Sequence, residues 1–109
     1  MSLREDRTMI DYQRLRDGLV VTAFWKVKPQ ETEAAAGILR EFMPKAQNDP
    51  GVQAFLIHQS KDEPSEFLFY EVFEDEDAFD AHQKSPHFKE MIAGEALPKL
   101  ANASAPSMW

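Results

Sequence analysis

A chain of 109 residues holds one domain with a single modest core. Its net charge of −7, with 12 scattered Lys and Arg, argues against a nucleic-acid groove and against an anionic membrane surface. The absence of cysteine excludes a disulfide scaffold, a thiolate metal site and a cysteine nucleophile, and fits a reducing, cytoplasmic setting.

Residues 1–18 are polar and charged, with a weak helical pattern at Ile10, Leu15 and Leu19. They read as an N-terminal arm, with Met1-Ser2-Leu3 compatible with a tag remnant, ahead of a domain over residues 19–109. The start of the chain lacks the apolar core of a signal peptide, and no apolar run reaches membrane-spanning length.

Leu19 to Lys28 is rich in β-branched and aromatic residues and reads as a first strand, stopped by Pro29. Val21, Ala23, Trp25 and Val27 share one face; Val20, Thr22, Phe24 and Lys26 share the other. Gln30 to about Gln47 carries Ala35, Ile38, Leu39, Phe42, Met43 and Ala46 at three- and four-residue spacing, which predicts an amphipathic helix loosened near Pro44. Asn48-Asp49-Pro50-Gly51 predicts a turn, with Gly51 suited to a positive φ.

Val52–Ser60 and Glu66–Glu74 read as strands joined by a five-residue hairpin loop, hence antiparallel. Asp75, Glu76 and Asp77 suit the positive end of the next helix, whose inner stripe is Ala78, Phe79, Ala81 and His82. Ser85-Pro86 predicts a break near Lys84 and a restart running to about Ile92. Residues 95–101 suit an added turn, and residues 103–109 a short last strand of poor pattern. The order β-α-β-β-α, with a weak final β, predicts an α+β, ferredoxin-like split βαβ domain: one antiparallel sheet with two helices on one face. The first and third strands are apolar on both faces, so the face away from the helices calls for cover. A two-fold homodimer packed sheet to sheet supplies it.

Two residues stand out as candidates for chemistry. Glu71 shares a strand face with Phe67, Phe69 and Phe73. Burial there either raises the pKa of an acid, base or hydrogen-bond anchor, or demands a structural partner in an Arg, a Lys or a dimer mate. His82 lies on the inward edge of its helix, either as a general base beside a pocket or as a half-exposed histidine capping the broken helix and bonded to Ser85. His58 and His87 are expected at a strand edge and a helix start. His82 and His87 are five apart across a proline-started helix with no third ligand at a sensible offset, so no metal site is expected. There is no glycine-rich phosphate loop and no serine elbow. The aromatic set of Phe24, Trp25, Phe69, Tyr70, Phe73, Phe79 and Phe88 reads mostly as core and interface, with part of it suited to lining a pocket for a flat ligand.

Asp49-Pro50-Gly51, the Phe69-Tyr70-Glu71 triplet, Ala78, and His82 followed by Ser85, His87 and Phe88 together resemble the antibiotic biosynthesis monooxygenase (ABM) domain, over about Val20 to Ile92. The resemblance implies a dimeric α/β barrel with a small aromatic substrate held between helices and sheet in each subunit. It implies oxidation of a phenol or hydroquinone to a quinone by O₂, with no metal or flavin. His82 would then be the base or proton shuttle, and Glu71 would orient it or hold a substrate hydroxyl. Ala23, Trp25, Phe69, Phe73 and Phe79 would bind the ring. Haem-degrading relatives carry Asn, Trp and His where this chain has Ala23, Phe73 and Ile92, so haem is not expected. A branch that isomerises a phosphorylated ketone would need a cationic grip not evident here, and a non-catalytic dimeric module that sequesters an aromatic compound is the third alternative.

Overall fold

The structure is a computed structural model and describes residues 18–103 and 107–108. The arm expected over residues 1–18 therefore lies outside the described residues except for Gly18. In chain order the elements are β1 (Leu19–Val27), a 3₁₀ turn (Pro29–Glu31), α1 (Thr32–Gln47), β2 (Val52–Gln59), β3 (Glu66–Phe73), α2 (Glu76–Gln83), a π-helical segment (Phe88–Ala96), a second 3₁₀ turn (Leu97–Lys99), β4 (Leu100–Ala103) and β5 (Ser107–Met108). No described helix is long and apolar enough to cross a membrane.

The sheet runs β2-β3-β1-β4, antiparallel throughout, with β5 also paired to β1. β1 and β2 point the same way but are separated by β3, which is the split βαβ arrangement of a ferredoxin-like α+β fold. The register sets two faces. On the inner one, Glu71 of β3 sits opposite Val21 of β1 and Phe55 of β2. On the outer one, Leu68 sits between Phe24 and His58, and Tyr70 between Thr22 and Leu56.

α1 buries Ala35, Ala36, Leu39, Phe42 and Ala46 against the inner face. It continues through Pro44 to Gln47, and Pro44 lies on its exposed side, where water can serve the carbonyl deprived of an N–H partner. α2 starts where its acids suggest, the Asp75 carboxylate accepting from the N–H of Ala78 at 2.9 Å. The break after α2 falls at Lys84–Ser85, but the following helix extends to Ala96 rather than Ile92. Its winding is wide: Met91 and Ala96, five apart, are both buried.

The last strand differs from expectation. It begins at Leu100, not Ala103, and its two pieces β4 and β5 lie along the same edge of β1, opposite Trp25–Val27 and Val21–Thr22 respectively. The sequence there, Leu100-Ala101-Asn102-Ala103, lacks the apolar alternation that marks a strand, because β4 is an edge strand with three exposed residues.

Gly51 has φ +80°, as the turn requires, and a Cβ built there would come 2.5 Å from the Cβ of Ala78 on α2. Gly51→Ala therefore combines a strained backbone with a steric collision. We expect a loss of about 2–4 kcal/mol in unfolding free energy, measured by urea denaturation; a loss below half of that range would show that the turn adapts without cost.

Candidate functional site

Between the inner face of the sheet and the helices lies a cavity of about 270 Å³. Its floor is Val21, Ala23, Trp25, Phe69 and Glu71 from β1 and β3. Its roof comes from Phe42 of α1, Phe79 and His82 of α2, and Phe88 and Ile92 of the π-helical segment. Gln83, Leu97 and Ala103, all exposed, mark where it meets the surface. An apolar cavity of about 150 Å³ accepts benzene, so this one has room for one or two fused rings. Trp25 and Phe69 meet in its floor with ring centroids 4.5 Å apart and planes tilted by 53°.

Of the residues singled out from sequence, Glu71, His82, Ala23, Trp25, Phe69 and Phe79 are brought together around this one cavity. Phe73 is not in its lining. It is fully buried behind the wall, with its ring 5.2 Å from Phe79 and 5.4 Å from His82. Strand alternation puts Phe73 on the same face as Glu71, but at the end of β3 that face is already filled by α2.

Glu71 is 7% exposed, and no described residue donates to or pairs with its carboxyl. The Arg or Lys that a structural carboxylate would need is absent among the described residues. Burial alone pushes its pKa from 4.5 up to about 8, so at neutral pH the group is an uncharged acid with an O–H to donate.

His82 is 2% exposed, not half-exposed, and its imidazole is enclosed by phenyl rings: Phe55 and Phe88 at 5.2 Å, Phe73 at 5.4 Å and Phe42 at 6.0 Å between centroids. Its ring does not bond Ser85. The Ser85 hydroxyl instead donates to the His82 backbone carbonyl (2.8 Å) and accepts from the N–H of Phe88 (3.2 Å), closing the gap between the two helices. The ring nitrogen Nδ1 of His82 lies 3.0 Å from Asp49 Oδ2. Burial lowers the His82 pKa below its usual value, with Asp49 opposing that shift, so the ring is neutral at pH 7.

Asp49 is the residue that sequence reasoning missed. It also meets His87, whose Nε2 is 2.9 Å from Oδ1 and 3.0 Å from Oδ2. The two histidines thus have a third member between them, 33 and 38 residues away in the chain. The geometry is that of imidazole N–H groups donating to a carboxylate, and no metal-holding group of three ligands occurs among the described residues. His58 is exposed on β2, apart from the cavity.

The sequence model of the antibiotic biosynthesis monooxygenase family matches residues 18–94, which takes in the cavity from β1 through Ile92. The chain belongs to that family. The ABM domain is also the fold of solved structures similar to it, at identities that speak to fold alone. One is a conserved protein from Methanosarcina mazei Go1, with 20% identity and a TM-score of 0.82 over 91% of this chain and 97% of the other. Another is an antibiotic biosynthesis monooxygenase, with 22% identity and a TM-score of 0.78 over 84% and 95%. In sequence, the ABM chain is 30% identical over 90 residues to uncharacterized protein sll1783 of Synechocystis, covering 83% of its own length but 60% of that relative's.

The burial of Glu71 has a measurable sign. With the folded pKa raised above the unfolded one, the folded state keeps a proton that the unfolded state gives up between pH 4.5 and about 8, so stability falls as pH rises through that window. Glu71→Gln removes this slope. We expect the variant to match wild type at about pH 4 and to exceed it on the order of a few kcal/mol by about pH 8, read from paired denaturation curves. Parallel curves at all pH values would mean that Glu71 is ionised in the fold.

Proposed function

We propose that the protein oxidises a small phenol or hydroquinone with O₂, needing no metal or flavin, as a homodimer in which each subunit carries its own cavity. What supports this most is that His82 and Glu71 are both buried in the wall of one apolar cavity, where burial favours the uncharged form of each. A neutral His82 takes the proton of a bound phenol; Glu71 donates to a second ring oxygen, as the acid of an oxyanion site does. The resulting phenolate is electron-rich enough to pass one electron to O₂, and the radical pair joins at a ring carbon that bears hydrogen. Loss of that hydrogen as a proton and cleavage of the O–O bond leave a carbonyl on the ring and release the other oxygen atom as water. For a hydroquinone, transfer of two electrons and two protons yields quinone and hydrogen peroxide. In both cases the protein binds the ring, moves protons and excludes bulk water.

The same acid and base also suit enolisation of a small carbonyl compound, which is the second reading. Among the described residues no Lys or Arg lines the cavity, which disfavours a phosphate ester bound by a cation as the isomerase substrate. Oxygen uptake with a panel of naphthols and hydroquinones separates the two. We expect uptake with at least one member and a fall of about 10²–10⁴-fold in kcat for His82→Gln. Carbonyl isomerisation without uptake would transfer the site to the second reading. Ring binding with neither activity would make the protein a sequestering module.

The dimer is supported by the outer face of the sheet. Leu56 and Leu68 are each 52% exposed there, on a face that no described helix covers. A second copy packing the same face about a two-fold axis would bury both. Light scattering should give twice the chain mass for wild type and the single mass for Leu68→Glu. A monomeric wild type would remove the dimer from the proposal.

A further inference from the structure

The turn after α1 does more than reverse the chain. The Asp49 N–H donates to the Ala46 carbonyl at 3.1 Å, the Val52 N–H donates to the Asp49 carbonyl at 3.1 Å, and Pro50 fixes the next backbone angle. The carboxylate therefore extends from a rigid anchor. It is 11% exposed and lies within 3.0 Å of one nitrogen from each of two imidazoles. An ionised carboxylate only accepts, so each facing nitrogen carries the hydrogen: Nδ1 in His82 and Nε2 in His87. Four phenyl rings confine the His82 imidazole, so the position of its proton, not the orientation of its ring, is the freedom that remains.

Resting on the reading of His82 as the base, we propose that Asp49 is its positioning residue, holding the proton on Nδ1 so that Nε2 offers its lone pair to the cavity, while His87 donates from the other side and keeps the carboxylate in place. The charge has a second effect. Once Nε2 accepts a proton, a cation stands in a shell of phenyl rings, and the carboxylate 3.0 Å away is what offsets it. Among the described residues the titratable groups facing His82 are few: Asp49 and His87 on one side and Glu71 across the cavity. His87, 22% exposed, works against the carboxylate whenever it is charged, so it tempers the base as well as steadying its partner.

Long-range ¹⁵N–¹H NMR on histidine-labelled protein tests this without any substrate, with the three histidines assigned through His58→Gln and His87→Gln. In wild type the His82 signal should be that of a ring protonated at Nδ1 and bare at Nε2. Asp49→Asn keeps the shape but loses the charge, and His82 should then bind its proton at least tenfold more weakly, with the tautomer no longer fixed. His87→Gln, whose amide can still donate, should leave the tautomer unchanged. Where a substrate is known, Asp49→Asn should lower kcat with little change in KM. A wild-type ring protonated at Nε2, or an unchanged proton affinity in Asp49→Asn, would overturn the proposal. The wild-type tautomer decides the matter even if Asp49→Asn does not fold. Failure to find oxygen uptake would count against the oxygenase reading and leave this result standing.

Discussion

The joint on which the molecule turns is the contact between the Asp49-Pro50-Gly51 turn and α2. The Gly51 carbonyl accepts from the N–H of Glu74 at 2.7 Å, and its bare Cα lets Ala78 approach. Two residues earlier in the turn, Asp49 reaches both His82 and His87. A short hydrogen bond, a missing side chain and a shared carboxylate thereby lock the end of α1 to both ends of α2 and to the segment after it. Gln47 adds a tie from α1 to the sheet, its amide donating to the Phe55 carbonyl at 2.9 Å. With α1 and α2 held at this distance, the space over the middle of the sheet becomes a cavity and not a closed core.

The polarity of that cavity follows from strand register. Glu71 stands between Val21 and Phe55, both almost fully buried, so nothing in its own sheet can carry a countercharge. A carboxyl in that position stays protonated because its ionised form would be worse solvated than in water. His82 meets the same apolar surroundings, yet it has Asp49 behind it. The result is an acid and a base that are both uncharged at the same pH, a combination that free solution does not provide. Among the described residues neither lysine nor arginine lines the walls, and that extends the same logic to ligands, since an anion would meet no cationic partner there.

Much of this was legible before any coordinates. Strand parity alone placed Glu71 on one face with Phe69 and Phe73, and the three- and four-residue spacing placed His82 on the inward edge of its helix. Those signals are local, set by a few neighbouring residues. What the sequence did not disclose depends on distance along the chain. Asp49 reads completely as a turn residue, and nothing near it hints at partners more than thirty positions away. His87 reads as a helix-start residue for the same reason. Phe73 shows the opposite failure: its face was right, but whether a side chain lines a void or fills the space behind it depends on which helix lies above. The edge strand was misplaced because Leu100-Ala101-Asn102-Ala103 lacks the alternation by which strands are recognised.

The wide winding from Phe88 to Ala96 places more residues in each turn than an ordinary helix does, and it does so next to Ile92 in the cavity wall. Such a segment holds slack. Removing a single residue there could be absorbed by tightening the coil to the usual pitch, with the Leu97–Lys99 turn and the strand beyond kept close to where they are. The wall facing the cavity would meanwhile rotate and present a different side chain. In this fold, chain length at one helix is thus a means of reshaping the chamber without disturbing the frame around it.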